Sequence, residues 1–231
     1  MIYVISDIHG CYAQYCALLE KVHFNNQDTL YVLGDTIDRG PDSMAVLQDM
    51  CQRQNVIPLI GDHEYMALQA LYHLCPWVKK EVNYPFWREN IQSGITCWLD
   101  LDGGKSTYDA FLKLPRSQQI SILNYLWSFQ LAKRIRVNGE TFLLSHGWLS
   151  SFAQDPSKHP YQLFEERFQS PDFETLHYPE GILVVGHQPT RFLSGLDEII
   201  VTDQLIALDC GAYLGGKLGL YCLDTKTAYY A

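Results

Sequence analysis

The sequence predicts an α/β protein built as an α+β sandwich, in which two mixed β-sheets pack together and are flanked by helices, with a helical insertion. Two observations predict this fold. Short apolar segments alternate with amphipathic stretches over the first sixty residues, and short strands separated by turn residues fill the last hundred. The first pattern is typical of βαβ units with a parallel sheet, whereas the second indicates largely antiparallel pairing.

The first half contains three predicted strands with two predicted helices between them. The strands cover residues 2–5, 29–33 and 56–60, and the second helix covers residues 42–54. Pro41 stands at the start of that helix, where a missing N–H removes no helical hydrogen bond. Strand, helix, strand, helix, strand is the order that builds a parallel sheet.

The insertion is predicted at about residues 65–130, where the alternation stops and the chain becomes helical and aromatic. A hairpin at residues 134–145 follows, with Asn138-Gly139 as its turn. Further strands are predicted at residues 182–185, 199–201, 205–209, 218–223 and 227–230. We expect one domain over residues 1–231 with the insertion inside it, since the length is about one and a half times a typical domain of roughly 150 residues.

Composition excludes several function classes. The net charge of −9 argues against a protein that binds nucleic acid by neutralising phosphates. No apolar stretch approaches the roughly 18 residues of a membrane span, and no export signal is visible at the amino terminus. The seven cysteines contain no C-x-x-C pair, so neither a disulfide framework nor a zinc knuckle is indicated. We therefore expect a cytoplasmic protein without a nucleic-acid or membrane partner.

An aspartate follows each of the first three predicted strands within a residue or two: Asp7, Asp35 and Asp62. The carboxyl ends of adjacent parallel strands converge on one ligand site, so three carboxylates are directed to one place. A single aspartate there would be explained as a helix N-cap. Three of them, with histidines nearby, favour a binding site.

Five predicted loop tips carry candidate ligands close to a glycine. They are Asp7-Ile8-His9-Gly10, Gly34-Asp35-Thr36-Ile37-Asp38-Arg39-Gly40, Gly61-Asp62-His63-Glu64, Ser145-His146-Gly147 and Gly186-His187. Glycine allows tight turns and a close approach of the backbone to a ligand. Aspartate and histidine donors without a thiolate suit divalent metals such as Mn²⁺, Fe²⁺, Zn²⁺ or Mg²⁺.

In this order the motifs resemble those of the calcineurin-like metallophosphoesterases, and more narrowly the phosphoprotein phosphatase branch near the bacterial and bacteriophage lambda-type Ser/Thr phosphatases. Asp-Arg-Gly is the most specific element. Residues 208–212 and 215–218 are also similar to the closing strands of this branch and of the symmetrical diadenosine tetraphosphate hydrolases. The resemblance implies two divalent metal ions, with Mn²⁺ expected first and Fe²⁺, Zn²⁺, Ni²⁺ or Mg²⁺ as alternatives.

The resemblance also implies residue roles. Asp7 and His9 would hold one metal, Asp35 would bridge both, and Asp62 with His146 and His187 would hold the second. His63 would be the general acid, oriented by Asp38, and Arg39 would bind phosphoryl oxygens, with Arg167 as a second phosphate-binding arginine. From the residues alone, Asp38 is also explained as a helix cap and Arg39 as the partner of an acid.

Two positions depart from the family's usual pattern. Asp62 stands where the family usually has Asn, and Ile60 stands where this branch often carries an arginine. An anionic oxygen in place of a neutral amide oxygen should bind metal more tightly while attracting phosphate less.

Three functions remain open. The first is a metal-dependent hydrolase of phosphate monoesters, expected to act as a Ser/Thr-type phosphatase on a phosphorylated protein or a small phosphate ester. The second is a symmetrical diadenosine tetraphosphate-type hydrolase of phosphoanhydrides. The third is a catalytically weak metal-binding interaction protein, against which the intact His63, Asp38 and Arg39 argue. The insertion with its tryptophans is expected to line the cleft and choose the substrate.

Overall fold

The computed structural model describes residues 1–78, 92–147 and 178–231. Its first half follows the predicted order, with strand β1 (Ile2–Ile5), helix α1 (Tyr12–Lys21), strand β2 (Thr29–Val32), helix α2 (Ser43–Gln52), strand β3 (Val56–Pro58) and helix α3 (Asp62–Leu74). The strands β1, β2 and β3 pair in parallel. The two closing strands, β9 (Gly219–Cys222) and β10 (Thr227–Tyr230), extend this sheet in antiparallel fashion and give the order β10-β9-β1-β2-β3.

The second sheet has the order β4-β5-β6-β8-β7. Its strands are β4 (Ala132–Val137), β5 (Glu140–Ser145), β6 (Ile182–Val185), β7 (Ile200–Val201) and β8 (Leu205–Ala207). The predicted hairpin is confirmed as the β4–β5 pair. The prediction that this half is antiparallel is wrong for β5, β6 and β8, which run parallel. The long connections after β5 and β6 explain the difference, because a parallel pair needs a crossover rather than a tight turn.

Alternate residues of each strand face different layers, as the pleat of a strand requires. Tyr3 and Ile5 pack against the helices, whereas Val4 between them packs against the second sheet. In β5 the same alternation sends Phe142 and Leu144 to the core between the sheets. Two β-sheets packed face to face with helices on the outer side of the first sheet confirm the predicted sandwich.

The predicted insertion contains helices α4 (Gln92–Thr96), α5 (Gly104–Leu112) and α6 (Arg116–Trp127), with a π-helical turn at Cys97–Leu101 between the first two. Trp98 is completely buried in the helix-side core, and Trp77 and Trp127 pack against the same core. These three rings stabilise the packing of the insertion, and its expected role in lining the cleft and choosing the substrate stays a prediction. Trp87 lies outside the described residues. Within those that are described, no helix is long and apolar enough to cross a membrane.

Candidate metal centre and active site

The candidate ligands lie where strands of both sheets end. Asp7 and Asp35 follow β1 and β2, and Asp62 begins α3 shortly after β3. His146 and His187 follow β5 and β6 of the second sheet. The sandwich therefore brings residues from five separate loops to one edge, as the strand ends predicted.

One group of donors consists of Asp35, Asp62, His146 and His187, whose ligand atoms all lie within 4.8 Å of one another. His146 Nε2 is 3.0 Å from Asp62 Oδ1 and 3.4 Å from Asp35 Oδ1. His187 Nδ1 is 3.1 Å from the same Asp62 oxygen. Two carboxylates and two imidazoles thus converge on a single point.

A second group consists of His9, Asp35 and His63, again within 4.8 Å of one another. His9 Nε2 is 3.5 Å from Asp35 Oδ2, and His63 Nε2 is 3.9 Å from that oxygen. Asp35 therefore directs Oδ1 to the first group and Oδ2 to the second. A carboxylate shared in this way is what a bridging ligand requires.

Asp7 belongs to neither group. Both of its carboxylate oxygens accept the backbone N–H of His187, at 3.2 and 3.0 Å. The side chain is buried, and burial raises the pKa of Asp7 above its usual value. The structure places Asp7 beside the two donor groups (together, the cluster), and its expected pairing with His9 at one metal stays a prediction.

The imidazoles of His9 and His146 are oriented from behind by backbone carbonyls. His9 Nδ1 donates to the carbonyl of Ile37 at 2.9 Å, and His146 Nδ1 donates to that of Leu33 at 2.6 Å. Each ring therefore directs Nε2 at the carboxylates. A metal-binding histidine almost always donates its other ring N–H in this manner, so the donor set fits divalent cations.

Burial and the charges of neighbouring side chains determine which residues of the cluster are protonated. Burial raises the pKa of Asp62, but the hydrogen bonds and charges of His146 and His187 outweigh it and hold that pKa well below its ordinary range. For His146, burial lowers the pKa, and the neighbouring Asp35 and Asp62 reverse the effect and raise it well above the usual value. Burial lowers the pKa of His9 to about 3. A cation that binds at His146 must therefore displace a proton.

His63, a member of the second donor group, forms a buried pair with Asp38. His63 Nδ1 donates to Asp38 Oδ2 at 2.8 Å. Burial lowers the pKa of His63, but the charge of Asp35 and the hydrogen bond to Asp38 outweigh it and raise the pKa to about 9. The imidazole is therefore held protonated, with Nε2 facing the cluster.

Arg39 contacts both the cluster and an aromatic ring. Its Nη1 lies 3.1 Å from His9 Nε2, and its guanidinium carbon is 4.2 Å from the centroid of the Tyr213 ring. Tyr213 also packs edge-on against His9, with ring centroids 4.6 Å apart. The guanidinium thus borders the site, and Tyr213 supports it by a cation–π contact. Arg167 lies outside the described residues.

Strained backbone coincides with these residues. Nine non-glycine residues of the described chain have positive φ, and six of them are candidate site residues: Asp7, His9, Asp35, Asp38, Arg39 and His187. Such conformations cost free energy and persist at functional sites, where the surrounding structure holds them in place.

The family model of calcineurin-like phosphoesterases matches residues 1–206, which is most of the chain. The chain belongs to the calcineurin-like phosphoesterase family. The resemblance predicted from the motifs is confirmed, as is the prediction of a metal-dependent hydrolase acting on phosphoric esters. This family's fold implies two divalent metals.

Two relatives of this phosphoesterase carry the same name. A symmetrical bis(5'-nucleosyl)-tetraphosphatase of Buchnera aphidicola subsp. Baizongia pistaciae is 46% identical, and the match covers 97% of this chain and 95% of that protein. A protein of the same name from Wigglesworthia glossinidia brevipalpis is 38% identical over 34% of this chain and 29% of its own length. A solved structure described as a candidate diadenosine tetraphosphatase shares the fold, with a TM-score of 0.63, 20% identity and coverage of 100% of this chain and 92% of its own.

Glu64 stabilises the loops that carry the site residues of this phosphoesterase. The buried carboxylate accepts the backbone N–H groups of Asp35, Thr36 and Gly61, at 2.9, 2.7 and 2.8 Å. It thereby ties the loop after β2 to the start of α3. The neighbouring Gly61 packs so closely on Asp35 that a Cβ atom there would overlap the carboxylate.

Sequence reasoning missed two residues at the site. Asp209 is buried near Asp7, accepts the backbone N–H of Gly211 at 2.8 Å, and has its pKa raised well above the usual value by burial and by the charge of Asp7. It follows β8, so the signal that identified the other aspartates also applied to it. Tyr213 lies in a short 3-10 turn, Ala212–Leu214, and no motif spacing pointed to it.

Proposed function

We propose that this phosphoesterase hydrolyses symmetrical dinucleoside tetraphosphates at the central phosphoanhydride bond. The observation that carries the substrate class is the 46% identity with a symmetrical bis(5'-nucleosyl)-tetraphosphatase across nearly the whole of both chains. Of the two substrate hypotheses from the sequence, the relatives favour the phosphoanhydride. A Ser/Thr protein phosphatase remains the competing hypothesis, and the same experiment tests it.

The two donor groups are the proposed metal sites. Asp62, His146 and His187 would hold one cation, His9 and Asp7 the other, and Asp35 both. Carboxylate and imidazole donors without a thiolate suit Mn²⁺, which we propose as the native metal. Two such cations, when bound, supply Lewis acidity to phosphoryl oxygens and lower the pKa of bound water.

His63 is the proposed proton donor to the leaving group. Its Nδ1–H is held by Asp38, so the proton available for transfer is the one on Nε2. Asp38 is completely buried and keeps the ring in one orientation. After the bond breaks, the departing phosphate oxygen takes the Nε2 proton, and the charge of Asp38 favours the return of a proton from solvent.

Arg39 is the proposed phosphate-binding residue, because its planar guanidinium can donate two parallel hydrogen bonds to phosphoryl oxygens. The lone pair of His9 Nε2 that it now contacts is the one a metal ligand needs. Metal binding at His9 therefore requires Arg39 to move off that atom, which leaves its donors available to substrate on the Tyr213 ring. Arg167 is proposed as a second phosphate-binding residue from the resemblance alone.

The charge balance agrees with a small polyphosphate. The chain carries 17 basic and 26 acidic residues, so its surface repels long polyanions. Two divalent cations would offset the four carboxylates of Asp7, Asp35, Asp38 and Asp62, and Arg39 adds a further positive charge. A compact phosphate ligand is attracted locally even though the molecule is acidic.

The decisive experiment compares substrates on one preparation. Metal-stripped protein is reloaded with Mn²⁺ and given diadenosine tetraphosphate, a phosphoserine peptide and para-nitrophenyl phosphate. We expect the highest kcat/KM for the tetraphosphate, with ADP as the only nucleotide product, because water added at the central anhydride gives two identical halves. Nucleotides are separated by anion-exchange chromatography.

Each other result has a defined meaning. Formation of ATP and AMP contradicts cleavage at the central bond. A higher kcat/KM for the phosphopeptide contradicts the tetraphosphate proposal and supports the Ser/Thr phosphatase. Metal-stripped protein is the matched control, and activity without metal contradicts the assignment of the two donor groups.

Asp62→Asn is expected to retain both metals and to keep measurable turnover. Asn Oδ1 can occupy the position of Asp62 Oδ1, which contacts His146 and His187, and an amide oxygen is a competent though weaker ligand. The metal should bind less tightly while becoming a stronger Lewis acid. Metal content by mass spectrometry and kcat on para-nitrophenyl phosphate check this, and loss of one metal per chain contradicts a tolerated ligand exchange.

A further inference from the structure

The Asp38 carboxylate accepts one hydrogen bond from His63 and a second one from the insertion. Trp98 Nε1 donates to Asp38 Oδ2 at 2.6 Å, and this is the oxygen that also accepts His63 Nδ1. Trp98 and Asp38 are both completely buried. The other oxygen, Oδ1, is buried and accepts no hydrogen bond from the described residues. The His63 imidazole and the Trp98 indole therefore meet at one oxygen atom of this carboxylate.

The same part of the insertion holds the backbone of this loop. The N–H of Asp38 donates to Thr107 Oγ1 at 3.0 Å, and Thr107 Oγ1 donates to Ser43 Oγ at 3.0 Å. The N–H of Arg39 donates to the carbonyl of Gly103 at 3.3 Å. Asp38 and Arg39 both have positive φ, 69° and 65°, which needs such external support in non-glycine residues.

The indole is itself fixed in place. Trp98 lies in the π-helical turn Cys97–Leu101, a form of backbone often found at functional sites. Gly104 packs against the face of the ring so closely that a Cβ atom there would overlap it. Gly103, at φ +80°, turns the chain so that its carbonyl reaches Arg39. The donor is therefore held rigidly towards Asp38.

We propose that Trp98 is a positioning residue for the proton-transfer pair, whose Nε1–H fixes the Asp38 carboxylate and through it the orientation of the His63 ring. The insertion then forms part of the catalytic apparatus in addition to any effect on substrate choice. This inference rests on the proton-donor role proposed for His63, but it is independent of which phosphate compound is the substrate.

The test uses Trp98→Phe, which keeps an aromatic ring and removes the donor. The matched control is Trp77→Phe. Trp77 packs against the same helix-side core and stacks on Phe111 at 6.4 Å between ring centroids. The Mn²⁺-loaded proteins are compared on phenyl phosphate, a poor leaving group, and para-nitrophenyl phosphate, a good one.

A displaced proton donor matters most when the leaving group is poor. We expect Trp98→Phe to lower kcat on phenyl phosphate by about 10–100-fold, a part of the roughly 10²–10⁴-fold that a general acid contributes. The loss on para-nitrophenyl phosphate should be several-fold smaller, and KM and metal content should stay near wild type. Trp77→Phe should change both substrates equally and slightly. Equal losses on both substrates with Trp98→Phe would reduce Trp98 to a packing residue and overturn the proposal.

A second measurement depends neither on catalysis nor on whether a Trp98 variant folds. In the NMR spectrum of isotope-labelled, metal-free protein, the indole N–H proton of Trp98 should resonate downfield and exchange slowly with solvent. Asp38→Asn should shift this resonance strongly while leaving the indole signal of Trp77 in place. An unshifted Trp98 signal contradicts the proposal. If the wild type cleaves diadenosine tetraphosphate but neither aryl phosphate, the hydrolase proposal stands, and this signal alone decides whether Trp98 holds Asp38.

Discussion

Replacement of His63 by asparagine is expected to lower kcat on phenyl phosphate by about 10²–10⁴-fold, the usual contribution of a general acid. Asparagine cannot deliver a proton to the leaving oxygen, whereas its side chain is small enough to leave the buried site intact. The loss should shrink as the leaving group improves, because a good leaving group departs without a proton. Steady-state kinetics on a series of aryl phosphates measures this dependence.

The geometry offers an alternative role that the same variant tests. His63 Nε2 lies near Asp35 and His9, in one of the two donor groups, so it is also placed as a metal ligand. We expect the His63→Asn protein to retain two metals per chain. Loss of a metal would make His63 a ligand, and full activity would remove it from the chemistry. His23→Asn is the control, since His23 is exposed and its φ of 51° suits asparagine.

The strand ends were predictable because they depend on local sequence. An apolar segment, a glycine and an aspartate specify a buried strand and the loop that follows it, and parallel pairing brings such loops together. This is why Asp35 and Asp62 could be placed near each other from the sequence, 27 residues apart. His146 and His187 could be added only through the order of the motifs, since they come from the other sheet.

What the sequence did not reveal depends on contacts between distant segments. The bond from Trp98 to Asp38 joins residues 60 positions apart through an irregular turn that no hydrophobic period describes. The relative directions of β5, β6 and β8 depend on the paths taken by the long connections between strands, which strand propensity does not encode. Tyr213 reaches His9 and Arg39 only because the closing strands join the first sheet beside β1.

Asp35→Asn is expected to have the broadest effect on metal binding, because Asp35 is shared by both donor groups. Oδ1 faces His146 at 3.4 Å and Oδ2 faces His9 at 3.5 Å. Burial and the charge of Asp62 raise the pKa of Asp35, but the imidazoles of His146 and His63 outweigh them and hold the pKa below its usual range, so the group is an anion in the folded chain. An amide removes that charge and replaces one acceptor oxygen by an N–H₂ donor, which opposes any cation on that side.

Both metals should therefore bind more weakly in Asp35→Asn, and kcat should fall by more than the roughly 10–100-fold that follows loss of an outer-shell partner. Asp62→Asn is the matched comparison, since it makes the same chemical change in only one donor group. Titration of metal-stripped protein with Mn²⁺, followed by metal analysis after gel filtration, measures the stoichiometry. Two metals per chain at wild-type affinity would exclude Asp35 as the bridge, because a bridging carboxylate cannot lose its charge without weakening both ions that it holds.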